Sequence, residues 1–412
     1  VTDLPAMTVT EKVLARAAGR AQVRPGDEVW ADADRMIMND SSGPRRIAGL
    51  VDELGGVADP DRVVLVSDHF VPAATVTQAA ILRATRTWAG DHRIGTFHEY
   101  DGILHSLVVE RELADAGMLV VGADSHTTSA GAVGAVAVAV GSTELATVLA
   151  TGQVWLRVPE TIRIELTGSL PPRVAMRDLT LRILGDHGSS FALYAAIEYG
   201  GDLTCRLDVW SRMVLANQGI EMGAKNAVVV APTGPVPDPD AAYSRRLAYD
   251  AGQLEPLVAV HPAPDRVERA AALANESVDM AWIGSCVGGR NDDLRAAAAV
   301  LRGRSVAVPT LVTPSTRRIY EQALADGTIA TLAGAGATIL PPGCGACAGI
   351  HAGVQGDGDR VIATATRNFP GRMGSRDARV FLASAYTVAA SALTGRITDP
   401  RRIGAASSEE HA

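Results

Sequence analysis

Met118–Thr128 reads MLVVGADSHTT. Its apolar start suits a buried strand, Gly122 closes the run, and Asp124, Ser125 and His126 follow at once. A strand that delivers polar side chains at its carboxyl end is the habit of parallel α/β proteins, which gather their chemistry along that edge. The pattern recurs three times: VVLVS (Val63–Ser67) leads to Asp68 and His69, MAWIGSC (Met280–Cys286) to one thiol, and ATILPPGC (Ala337–Cys344) to another. Helical spacing marks Thr10–Arg20 and Arg46–Leu54, while EVWADADRMIMND (Glu28–Asp40) reads as one short strand. The predicted fold class is α/β.

Composition agrees. The 412 residues are 47% hydrophobic and only 4% aromatic, with 41 glycines, so the cores must be built from small aliphatics on closely approaching backbones. That length predicts several domains. VPETIRIELTGSLPP (Val158–Pro172) alternates apolar and polar residues and opens a middle segment, which closes at the Pro232–Pro239 stretch or the linker after it. The expected division is residues 1–160, 161–265 and 266–400, with a frayed tail at 401–412. A net charge of −8, with Lys12 and Lys225 the only lysines, argues against general nucleic-acid binding. VTDLPAMTVTEKVLARAAGR at the start has no apolar signal core, and Ser129–Gly141 is too short to span a bilayer. The expectation is a soluble, cytoplasmic protein without membrane partners.

Four cysteines, Cys205, Cys286, Cys344 and Cys347, are too few for a disulfide scaffold, and their clustering points to metal or redox chemistry. Cys344-Gly-Ala-Cys347 alone is compatible with zinc, a redox disulfide or an iron–sulfur cluster. Gly284, Gly288, Gly289, Gly343, Gly345 and Gly349 remove side chains around the thiols, leaving space for a bulky group and for backbone N–H donors. Cys205, within GGDLTCRLDVW, is expected on a strand in the core. Asp68-His69, His105, Asp124-Ser125-His126 and Asn217-x3-Glu221 are the acid/base candidates. If NQGIEMGAK is helical, Asn217 and Glu221 share a face. Arg367 and Arg372 flank Asn368-Phe-Pro-Gly371 and suit carboxylate recognition. His92, His98, His187, His261, His351 and His411 are read as structural or exposed.

GADSHT, GSCVGGR, PGCGACAG and RNFPGRMGS, in this order, resemble the aconitase superfamily, and within it the large subunits of 3-isopropylmalate dehydratases. The resemblance runs over roughly Thr8–Pro400 and includes GSTELA, NQGIEMGAK and LASAYTVAASALTGRITDP. It implies a three-domain α/β/α core around a [4Fe–4S] cluster held by Cys286, Cys344 and Cys347, one iron lacking a cysteine ligand. It also implies catalytic roles for Asp68, His69, His105, Asp124, His126 and Glu221, and substrate contacts from Ser125, Asn217, Arg367 and Arg372. The implied reaction is reversible dehydration and rehydration of a 2-substituted malate. Alternatives are a homoaconitase-like or 2-methylmalate-type hydratase, a cluster-free RNA-binding protein and a zinc-stabilised structural subunit. Single-chain aconitases continue into a C-terminal swivel domain; here the resemblance implies that a separate small subunit supplies it, in a heterodimer or heterotetramer. Two departures stand out: Cys286-Val287-Gly288 where the family usually has Cys-Thr-Asn, and Thr366-Arg367-Asn368 where it usually has Asn-Arg-Asn. They imply a shifted substrate or an altered cluster environment.

Overall fold

A computed structural model describes residues 6–231 and 233–404. The chain partitions into two compact units: Val1–Glu99, Leu104–Ser169 and Ser189–Ala251 form the first, and Tyr100–Ile103, Leu170–Gly188 and Gly252–Ala412 the second.

The first unit holds eleven strands among its described residues: β1 (Glu28–Asp32), β2 (Arg35–Asn39), β3 (Val63–Ser67), β4 (Thr96–Glu99), β5 (Leu119–Gly122), β6 (Val136–Ala139), β7 (Gln153–Arg157), β8 (Thr161–Thr167), β9 (Ala196–Gly200), β10 (Asn226–Val229) and β11 (Arg245–Asp250). The stretch read as one strand at residues 28–40 is two. β1 pairs antiparallel with β7 in a two-stranded ribbon, whereas β2 enters a five-stranded parallel sheet ordered β4-β3-β2-β5-β6. The chain fills one side of β2 first and then the other, so the crevice beyond the carboxyl ends of β2 and β5 lies where the strand order reverses. Successive residues of β2 serve opposite cores: Met36 and Met38 pack with Leu65, Leu119 and Val121, and Ile37 packs with Val64, Val66 and Leu107. A second parallel sheet, ordered β10-β9-β8-β11, follows in the same unit.

GGDLTCRLDVW is not a strand. Gly201 takes a positive φ of 96°, the helix Asp202–Arg206 begins there, and Asp208 caps the next helix, Val209–Gln218, by accepting from the Ser211 N–H at 2.6 Å. The alternation of Leu203, Cys205 and Leu207 mimics a strand, but Gly200-Gly201 ends the real one, and Cys205 is exposed rather than in the core.

The second unit holds β12 (Leu257–Ala259), β13 (Val267–Arg269), β14 (Met280–Ile283), β15 (Thr310–Val312), β16 (Thr338–Ile339), β17 (Arg360–Ala363) and β18 (Arg379–Ala383). They form a seven-stranded mixed sheet ordered β13-β12-β18-β17-β14-β15-β16, antiparallel only around β12. Three larger sheets thus occupy residues 35–139, 161–250 and 257–383. We propose the three-way division read from the sequence as a subdivision along them. Of the expected tail, Arg401 and Arg402 finish a short turn capped by Asp399, and residues 405–412 lie outside the described ones. No helix among the described residues is long and apolar enough to cross a membrane.

Candidate active site

In the first unit three imidazole–carboxylate pairs lie at strand exits or against them. Past β3, Asp68 is buried; its Oδ2 accepts from the Leu104 N–H at 2.8 Å and its Oδ1 lies 2.6 Å from His69 Nδ1. Past β5, Asp124 Oδ1 lies 2.9 Å from His105 Nε2 and accepts from the His126 N–H at 2.9 Å. His105 is carried by the buried helix Leu104–Glu110. The third pair is His126 Nε2 with Glu221 Oε1, at 3.0 Å. The rings of His105 and His126 meet edge to face with centroids 6.0 Å apart, which makes two of the pairs one cluster.

The seating of Ser125–Val133, a 3-10 segment on which His126 rides, explains the last pair. Gly131 approaches β10 so closely that a Cβ there would collide with the Ala227 carbonyl oxygen. Asn217 donates from Nδ2 to Ser129 Oγ at 2.8 Å, and Thr128 Oγ1 donates to its carbonyl at 3.4 Å. Asn217 and Glu221 do reach one region, although not through a single helix. The helix ends at Gln218, and Glu221 sits in a 3-10 turn, Gly219–Met222. Ser125 is half-buried at the start of its segment.

Sequence reasoning missed Asn39 and Asp40, both fully buried at the exit of β2. Asn39 donates from Nδ2 to Asp124 Oδ2 at 3.2 Å, and its Oδ1 accepts from the backbone and hydroxyls of Ser41 and Ser42. Asp40 accepts from the His69 N–H at 3.1 Å and the Phe70 N–H at 3.0 Å. The signal was present, since RMIMND has the same apolar-then-polar form as the other strand exits.

Electrostatics separates the pairs. Burial alone would lift the Asp124 carboxyl, but the charge and hydrogen bond of His105, joined by His126, hold it well below the ordinary carboxylate range. Burial works against a charged His69 too, yet Asp68 and Asp40 outweigh it and raise the imidazole well above its usual value. That direction favours the protonated imidazole, the form a general acid needs.

The second unit carries the thiols and arginines. Cys286 and Cys347 are buried and Cys344 is half-buried. Cys286 follows Ser285, a non-glycine residue at φ 77° held by its hydroxyl, which donates to the Thr364 carbonyl at 2.8 Å. Thr364 Oγ1 in turn accepts from the Gly284 N–H and donates to the Gly284 carbonyl, both at 2.8 Å. Trp282 and Thr313 are the nearest neighbours of both Gly284 and Gly345, which sets the Cys286 loop and the Cys344–Cys347 turn against the same pair of side chains. Arg372 Nη2 lies 3.6 Å from Cys347 Sγ, a placement that favours a thiolate, and the Thr366 hydroxyl lies 3.8 Å from the same sulfur. Arg367 is half-buried, and the neighbouring Asn368 anchors the loop by donating to the Val380 carbonyl at 3.3 Å. Of the two departures, Gly288 has no room for a side chain, because Thr364 fills the space a Cβ would need, and Thr366 sets a hydroxyl where an amide is usual. His351 is buried beyond the thiol turn. Three thiols with side-chain-free glycines around them suit a bulky sulfur-ligated cluster, the donor set that [4Fe–4S] groups use.

The Aconitase family (aconitate hydratase) profile matches residues 11–235 and 266–395. The 3-isopropylmalate dehydratase large subunit 1 of Methanopyrus kandleri is 42% identical over 96% of this chain and 99% of its own length. The probable methanogen homoaconitase large subunit of Methanosarcina mazei is also 42% identical, over 90% of this chain and 100% of its own. The 3-isopropylmalate dehydratase large subunit of Heliobacterium modesticaldum is 40% identical over 96% and 99%. Among solved structures, aconitase X of Thermococcus kodakaraensis in its holo-form superposes with a TM-score of 0.52 at 12% identity, covering 85% of this chain and 88% of that one. That last likeness concerns the fold alone.

Proposed function

This chain belongs to the aconitase family, and on that premise we propose that it is the large, cluster-bearing subunit of a hydro-lyase that interconverts 2- and 3-isopropylmalate by dehydration and rehydration. The observation that carries the chemistry is the trio of imidazole–carboxylate pairs at 2.6, 2.9 and 3.0 Å. A β-hydroxy acid loses water when one group takes a C–H proton and another protonates the departing hydroxyl, and a carboxylate-held imidazole supplies the second role.

The family implies a [4Fe–4S] cluster, which Cys286, Cys344 and Cys347 would hold. When bound, it would supply Lewis-acid chemistry suited to the loss of a hydroxyl. His69, with its proton secured by Asp68, is the acid for the hydroxyl. Asp124 orients His105 and Glu221 orients His126, each presenting a fixed imidazole to the substrate. Arg367 and Arg372 grip the second carboxylate, and Ser125 and Asn217 line the site. The base for the C–H proton and the contacts that read the substrate's side chain come from a small swivel-domain subunit. The reaction involves no net redox change.

The test is turnover of 3-isopropylmalate by anaerobically reconstituted chain with and without a small subunit. Little activity alone and full activity with the partner is expected; full turnover by the isolated chain would overturn the two-subunit reading. The homoaconitase relative, equally identical, favours a second reading on a longer tricarboxylate. A ranking of substrates by kcat/KM in the reconstituted complex separates them, with homoaconitate best if the second reading holds.

A further inference from the structure

We propose that Asp40 is a positioning residue for His69: a second buried carboxylate that clamps the backbone carrying the imidazole and, with Asp68, flanks its Nδ1. The proposal deepens the functional reading above and rests on His69 serving as the acid.

Asp40 follows β2 directly, and its own N–H donates to the Val66 carbonyl of β3 at 3.0 Å, so its place is set by the pairing of two central strands. Its two oxygens are divided between consecutive N–H groups: Oδ1 accepts from His69 at 3.1 Å and Oδ2 from Phe70 at 3.0 Å. A carboxylate bound at both oxygens to the chain that bears the ring fixes where that ring starts. Oδ1 also lies 3.6 Å from His69 Nδ1, on which Asp68 Oδ1 closes at 2.6 Å. With acceptors facing Nδ1, the ring proton there is fixed, and Nε2 is left to exchange a proton with substrate.

The charged surroundings are few. Asp68 leaves β3 and Asp40 leaves β2. Behind Asp40 stands Glu99 at the end of β4, paired with Arg86 of the helix Val76–Asp91 at 3.3 Å. Arg45 of the helix Pro44–Glu53 lies over the Phe70 ring, 5.6 Å from its centroid. The carboxylates nearest the imidazole are Asp68 and Asp40, and burial removes most of the water that would screen them. Removing one of these charges must release the imidazole's proton at lower pH. A residue that merely held the fold together would alter stability without moving that titration.

The experiment compares the parent chain with Asp40→Asn and Asp40→Glu in two ways. The full chain is followed by histidine-detected NMR against pH, His69 being assigned by loss of its signal in His69→Gln. The complex with its small subunit is followed by the pH dependence of kcat/KM. Asp40→Asn should lower the His69 titration and the matching limb of the activity profile together by about one pH unit, the scale expected for one charge at this distance. Asp40→Glu, which keeps the charge, should move both by far less. An unchanged titration in a folded Asp40→Asn chain overturns the proposal. If that variant does not fold, Asp40→Ser, which removes the same charge, is titrated in its place: a lowered His69 titration supports the proposal and an unchanged one overturns it. A parent complex that dehydrates no 2-substituted malate would defeat the functional reading instead and leave the NMR outcome to stand by itself.

Discussion

Replacing Gly289 by alanine tests whether the glycines around Cys286 are there for space. A Cβ at Gly289 would stand 2.6 Å from the Thr313 carbonyl oxygen and 3.1 Å from both the Ser285 oxygen and the Ser315 nitrogen. All three are backbone atoms, so no rotamer change can relieve the contact. Ordinary van der Waals contact begins near 3.4 Å, and the loop and the segment after β15 must therefore part by about 0.8 Å. The bond from the Ser315 N–H to the Gly289 carbonyl, now 2.8 Å, would stretch beyond useful length. Overpacking of this kind costs about 1–3 kcal/mol and a lost hydrogen bond about 1 kcal/mol, which together give roughly 2–4 kcal/mol. Urea unfolding of the purified chain measures it. Gly49→Ala is the control: Gly49 is exposed in the helix Pro44–Glu53 with no atom within 4 Å of a new Cβ, and it should gain up to about 1 kcal/mol. A Gly289→Ala chain within about 0.5 kcal/mol of the parent would refute the reasoning, because surface-like tolerance is incompatible with one backbone collision and two tight backbone contacts.

Cys286→Ser, Cys344→Ser and Cys347→Ser should each cut iron and sulfide bound after anaerobic reconstitution at least severalfold, while Cys205→Ser, an exposed position, should leave them unchanged; iron analysis with circular dichroism checks both. Asp178, buried and accepting from the Leu257 and Ala175 N–H groups, has its carboxyl raised from 3.8 to about 6, chiefly by burial. The folded chain therefore binds this proton more tightly than the unfolded one, so the contribution is fully present below the ordinary value and is lost as pH rises towards 6, by roughly 3 kcal/mol in all. Denaturation curves across that window should show this fall in the parent and a flatter dependence in Asp178→Asn; equal slopes would count against it.

The strand exits were legible because a buried parallel strand must be apolar on both faces, which makes the first polar residue after it conspicuous. Asp68, His69, Asp124, His126 and Cys286 were found that way. β2 escaped because two strands of different sheets meet at Ala33-Asp34 without a glycine or proline to divide them. Cys205 misled because alternation over a few residues cannot separate a strand from a helix once a preceding glycine has turned the chain. The reach of Glu221 to His126 was not legible in the sequence, since no local pattern relates a 3-10 turn to a segment 95 residues earlier.

The three imidazole pairs differ in one further respect, with consequences during synthesis. Their partners are 1, 19 and 95 residues apart along the chain. A growing polypeptide meets them in that order, and short closures precede long ones because loop entropy rises with separation. The first two pairs can form once the parallel sheet through β6 has emerged. The third waits until the helix Val209–Gln218 and the turn after it have left the ribosome. A nascent chain stalled between β6 and Glu221 therefore carries a half-assembled acid/base set, with His126 lacking the carboxylate that will hold it.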